Sequence, residues 1–263
     1  MSNNNGFANC LVANLKSLNA KERDYLVRYA YQGRASQDGD ETKRPWLSKD
    51  MEEDLKRKVP GLGSAAKCVF AGMDYHLDWL HAALFLACRE PNPIRVEDAG
   101  NFAAELGDYE ETLRPVTGRH EDLDLLAVFV DGEKTIVLFI EAKGVGAIDT
   151  HQLARKLIRL SRILKDSGAG SRSDAVFVPV WVSPNDPNPD EEGRKKSRTL
   201  WEYGRRAKGL EGDLPGEDEI EGLGHESPIP YLALGELPKK KVTRVKLAQD
   251  SDQTFTHWMI TER

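Results

Sequence analysis

Four side chains near the middle of the chain have types and spacing suited to hydrolytic chemistry: Asp122, Asp124, Glu141 and Lys143. They lie at the ends of two apolar runs, DLDLLAVFV (122–130) and TIVLFIEAK (135–143). Asp131-Gly132-Glu133-Lys134 separates the runs, so the pattern predicts an antiparallel hairpin. Side chains alternate across a strand, so Asp122 and Asp124 share one face, as do Glu141 and Lys143. The antiparallel arrangement brings the start of the first strand to the end of the second. A four-residue loop at 131–134 sets Asp124 opposite Glu141, whereas a two-residue Asp131-Gly132 turn sets Asp122 there. The apolar run begins directly after Asp124, which favours the first register. In both registers the two aspartates lie on the Glu141 face.

Such a group suits a divalent cation. Two carboxylates, with backbone carbonyls and water, form a partial shell for Mg²⁺. A bound metal can polarise a phosphoryl oxygen and help generate hydroxide. A neighbouring lysine can stabilise charge on the pentacovalent phosphate, or orient and deprotonate the attacking water. Asp122 is read first as a solvated strand start or a supporting group, and only second as a direct ligand. The competing account of Asp124, Glu141 and Lys143 is a strand-end salt bridge on a non-catalytic α/β domain.

The elements around the hairpin must position these groups. A helix is predicted over 149–167, with Leu153, Leu157, Leu160 and Leu164 as its buried stripe. Gln152, Arg155, Lys156, Arg159 and Arg162 lie away from that stripe, and no acidic residue occurs between Gln152 and Lys165. Lys156, Arg159 and Arg155 are therefore candidate contacts to nucleic-acid phosphate. An apolar helix is predicted from Tyr75 to Arg89, and a strand buried on both faces over 174–183. Asp74, Asp78 and His81 share a face of that helix and are read as capping and buried hydrogen-bonding groups. Upstream, Asn19 and Ser48 are predicted to cap two helices. YLAL, VTRVKL and FTHWMI are weak strand candidates near the C-terminus.

The order Asp124, hairpin, Glu141-Ala142-Lys143, then a helix opening with His151-Gln152 resembles the PD-(D/E)xK nuclease superfamily. The resemblance covers roughly residues 75–185. It implies an α/β fold with a restriction-endonuclease-like α-β-β-β-α-β core, whose central mixed sheet is flanked by helices. It implies Asp124 and Glu141 as metal ligands, Lys143 as the catalytic lysine, and Gln152 as the glutamine found on the following helix in many members. Many members add an acid from the first core helix, for which Asp78 and Glu90 are candidates. Leu123 stands where a proline is usual, and Lys156 where some branches place a tyrosine. The implied activity is Mg²⁺-dependent phosphodiester hydrolysis, with Mn²⁺ as a substitute ion, DNA as the expected substrate and a homodimer as a means of cutting both strands. The alternative is a catalytically silent nucleic-acid- or protein-binding module of the same fold. The expected organisation is an N-terminal helical extension over 1–70 and the nuclease-like domain over 71–263, with a loop-rich acidic insertion at about 184–228.

Composition sets the remaining bounds. Of 263 residues, 40% are hydrophobic, enough for a substantial core. The 37 Lys and Arg against 43 Asp and Glu give a net charge of −6, which excludes a wholly basic surface but not a basic groove. Residues 211–226 carry seven acidic groups and no Lys or Arg, so that one segment accounts for the acidity. It is expected to lie away from a nucleic-acid groove. Cys10, Cys68 and Cys88 are too few and too scattered for a disulfide framework or a structural zinc site. The N-terminus lacks a secretory pattern, and the apolar run 79–88 is too short to span a bilayer. The expected compartment is the cytoplasm, without membrane association.

Overall fold

The computed structural model describes residues 6–18, 47–89, 115–118, 121–142, 150–183, 229–233, 240–245 and 257–262. They form a mixed α/β structure. In chain order its elements are α1 (Gly6–Leu18), α2 (Lys49–Lys58), β1 (Lys67–His76), α3 (Leu77–Arg89), β2 (Asp122–Asp131), β3 (Lys134–Ala142), α4 (Thr150–Ser167), β4 (Ala175–Ser183), β5 (Tyr231–Ala233), β6 (Lys240–Val245) and β7 (His257–Glu262). The first five strands make one sheet in the order β1-β2-β3-β4-β5, and β6 pairs with β7 separately. β1 runs antiparallel to β2, and β2 antiparallel to β3. β4 runs parallel to β3, and β5 parallel to β4. Two parallel neighbours need a crossover, and α4 supplies it between β3 and β4.

The hairpin adopts the register in which Leu125 faces Ile140 and Asp131 faces Lys134. The loop is shorter than the four residues expected, because Asp131 and Lys134 pair within the ladder and leave Gly132-Glu133 as the turn. Gly132 takes φ +62°, a conformation that a first central residue without a Cβ adopts at low cost. Asp131 also ties the turn to the segment after α2: its Oδ2 accepts from the Gly63 N–H at 3.1 Å. A Cβ on Gly63 would collide with that carboxylate.

Alternation along the strands sends apolar side chains to two cores. Val137, Phe139, Val128, Phe177 and Trp181 join α1, α3 and α4 in one cluster. Ala127, Phe129, Leu138, Ile140 and Val180 join Leu55 and Val59 from the α2 side in the other. The hairpin is thus covered on both faces, which explains its near-continuous apolar runs. Ser48 caps α2 as predicted, accepting from the Met51 N–H at 3.2 Å. The Leu77, Leu80, Leu84 and Ala87 stripe of α3 is buried throughout.

Three expectations change. Residues 67–76 form a strand, and the following helix starts at Leu77 rather than Tyr75. Gly72 and Asp74 interrupt the apolar pattern there, the ladder shifts between Cys68 and Phe70, and Asp74 takes φ +48°. A division at residue 70 therefore falls inside β1. Nor is the N-terminus an appendage: Phe7, Cys10, Leu11 and Leu15 of α1 belong to the main core. The buried Tyr75 hydroxyl donates to the Leu15 carbonyl at 2.8 Å, fastening α1 to the end of β1. The Asn19-capped helix and the acidic 211–226 segment lie outside the described residues.

Phe139 stacks on Phe177 across the parallel pair, with ring centroids 6.2 Å apart. Phe139→Ala is expected to lower stability by about 3–5 kcal/mol in urea denaturation, against less than about 0.5 kcal/mol for Val176→Ala at an exposed site. Similar midpoints for the two variants would show that this face of the sheet is not the core.

Candidate active site at the hairpin end

Glu141 follows Phe139 by two residues and so faces the α4 side of the sheet, where Phe139 is buried. Asp124 shares parity with Leu126 and Val128 and reaches the same side. The register that sets Leu125 opposite Ile140 brings Asp124 to Glu141 one step further on. Their backbones and carboxylates interlock. The Ala142 N–H donates to Asp124 Oδ2 at 2.7 Å, and the Asp124 backbone favours the charged form of the Glu141 carboxyl.

Helix α4 closes the group from the core side. Lys156 Nζ donates to Glu141 Oε1 at 2.6 Å and to the Asp122 carbonyl oxygen at 2.7 Å. Lys156 is only 6% exposed. Burial pushes the Glu141 carboxyl up to about 7; the Lys156 ammonium pulls it down, and the Asp124 charge pushes it up again. One turn along α4, Arg159 is 1% exposed. Its guanidinium bonds to Asp78 Oδ1, to Glu121 Oε2 at 2.7 Å and to the Pro115 carbonyl at 3.2 Å. Asp78 in turn accepts from the Thr117 N–H at 3.2 Å and the Gly118 N–H at 2.9 Å. The Leu77 N–H donates to the Glu121 carbonyl at 3.0 Å. These bonds hold the approach to β2 against α3 and α4, and so set where Asp122 and Asp124 begin.

The sequence-predicted residues therefore divide. Asp124 and Glu141 come together, and the Asp122 backbone joins them through Lys156. Asp78 is engaged by Arg159 and by the 115–118 segment, as a structural acid rather than a free helix-borne ligand. Lys156 and Arg159 do not present a solvated phosphate-binding face: both are turned inward onto carboxylates. No acid stands between Gln152 and Lys165 on the helix, but Glu141, Asp78 and Glu121 balance Lys156 and Arg159 from elsewhere in the chain. Arg155 is exposed. Gln152 lies in the first turn of α4, while its side chain, Lys143 and Glu90 lie outside the described residues. Glu121 was not singled out from sequence; its place in the acidic run Glu121-Asp122-Leu123-Asp124, beside an unbalanced basic helix, is the signal that points to it.

Among the described residues no group of three or more His, Cys, Asp or Glu side chains is arranged to hold a metal ion. Asp124 and Glu141 are the pair that could. The donor chemistry fits Mg²⁺, which takes one or two protein carboxylates and leaves other positions to water and phosphate. No protein-family model, curated protein or solved structure matches this chain. No helix among the described residues is long and apolar enough to cross a membrane.

Two consequences are measurable. Because the folded pKa of Glu141 is raised from 4.5 to about 7, its favourable contribution is complete below the unfolded pKa and is lost as pH rises through about 7. Relative to Glu141→Gln, the native protein should lose up to about 3 kcal/mol between those limits, read from urea midpoints. Parallel pH profiles would exclude the shift. Arg159→Met leaves Asp78 and Glu121 without their cation and should cost about 3–5 kcal/mol. Arg159→Lys should recover only part of it, because an ammonium lacks the planar fork. An unchanged midpoint in Arg159→Met would remove the tether.

Proposed function

We infer that the chain is a divalent-metal-dependent nuclease, with DNA as the expected substrate and a restriction-endonuclease-like core. The observation that carries this reading is the meeting of Asp124 and Glu141 on adjacent antiparallel strands, at the end that leads into α4. The strand plan supports it. Three strands joined antiparallel, then a helix and a fourth strand parallel to the third, are what the β-β-β-α-β part of that core calls for, although α3 stands between the first two strands and not before them.

Asp124 and Glu141 are the residues that hold Mg²⁺ or Mn²⁺ in this reading. The ion supplies Lewis acidity at a phosphoryl oxygen and a lowered pKa for water. Lys143, two residues beyond Glu141, stabilises charge on the phosphorane or takes the proton of the attacking water. Gln152 orients the scissile phosphate from the first turn of α4, and exposed Arg155 meets the neighbouring backbone. Water attacks phosphorus in line with the departing oxygen.

The Glu141–Lys156 ion pair favours a second reading, in which the pair is a finished structural contact and the fold binds nucleic acid or protein without turnover. Cleavage of labelled single- and double-stranded DNA and RNA in Mg²⁺ or Mn²⁺ separates the two. The wild type should cleave, and Asp124→Asn, Glu141→Gln and Lys143→Ala should each lose about 10²-fold or more. Equal residual cleavage by wild type and variants would assign it to a contaminant and end the enzyme reading. Metal-independent binding without cleavage would establish the module.

A further inference from the structure

Lys156 is nearly inaccessible, yet its ammonium bonds to both strands of the hairpin, through Glu141 Oε1 and the Asp122 carbonyl. A buried carboxylate needs a counter-charge. At Glu141 the neighbouring Asp124 adds to that need rather than meeting it. Arg159, the next cation inward on the same helix, is held by Asp78 and Glu121 and is not a replacement. The positive charge beside the acid pair is thus a fixed side chain, standing where a divalent cation bound to Glu141 would also act.

We propose that Lys156 is a built-in counter-cation of the Asp124–Glu141 pair: it positions the Glu141 carboxylate and substitutes for the charge of a divalent ion when none is bound. The proposal rests on the reading of Asp124 and Glu141 as divalent-cation ligands. Lys156 is a positioning residue; it touches Glu141, not the substrate. Lysine and metal ion neutralise the same carboxylate, so each weakens the hold of the other. By reciprocity, removing the lysine makes folding depend on the ion. An ion that binds the folded site but not the unfolded chain then restores stability in proportion to its occupancy.

The test is thermal unfolding of the full chain at pH 8, in EDTA or in millimolar Mn²⁺. Lys156→Met should melt about 10 °C below wild type in EDTA, since one partner of a buried pair is left alone. Mn²⁺ should return at least half of that loss, while shifting the wild type less. An equal loss with and without Mn²⁺ would overturn the proposal, because an ordinary structural ion pair is not rescued by a divalent ion. If Lys156→Met does not fold in EDTA, the double variant E141Q/K156M decides. It should melt within a few degrees of wild type and ignore Mn²⁺; the full loss persisting there would overturn the role. Calorimetric titration of wild type with Mn²⁺, beside its cleavage assay, separates the two failures. A wild type that binds Mn²⁺ and cleaves, with a variant that Mn²⁺ does not rescue, sinks only the counter-cation. A wild type that neither binds Mn²⁺ nor cleaves sinks both.

Discussion

Lys156 and Arg159 stand three residues apart on α4, and both are turned away from water onto carboxylates. A helix resting on a sheet through Leu157, Leu160, Ile163 and Leu164 can rotate or slide somewhat while keeping its apolar area buried. Buried cations cannot. Each loses its hydration and regains it only at one set of oxygens, so the ion pairs select one placement among those the leucines allow. Lys156 selects the placement relative to β2 and β3, and Arg159 selects it relative to α3 and the segment before β2.

The acid pair depends on that placement. Asp124 and Glu141 reach the α4 side by strand alternation, in a region where apolar side chains would otherwise leave a carboxylate poorly solvated. The ammonium of Lys156 makes an ionised Glu141 tolerable there without removing the effect of burial and of Asp124, and the Glu141 carboxyl stays well above the usual carboxylate range. The helix that crosses from β3 to β4 therefore does two things. It closes the parallel pair, and it sets the charge balance at the end of the hairpin.

Much of the architecture is legible in local pattern. The apolar runs 122–130 and 135–143 around a glycine-containing turn specify the hairpin, and the apolar run that starts after Asp124 points to its register. Ser48 before α2 and the leucine spacing of α3 and α4 do the same for the helices. β1 is hidden because its sequence, KCVFAGMDYH, contains no clean alternation and a shift in its ladder. Its Tyr75 and His76 also run without a break into an apolar helix. The place of α1 is hidden for a different reason: Phe7, Leu11 and Leu15 show an apolar face, but not what covers it.

The candidate site follows the same division. The residue types and two-residue spacing of Asp122/Asp124 and Glu141/Lys143, with their meeting at one hairpin end, follow from strand alternation and antiparallel pairing, which are local rules. The same sequence offers five cations on α4 with no acid among them, and by itself suggests an open basic face. Only the tertiary structure decides that Lys156 and Arg159 turn inward. Their partners Glu141, Glu121 and Asp78 lie 15 to 81 positions away in the chain. Charge pairing over such separations is set by how helices seat on a sheet, and no periodicity within the helix encodes it.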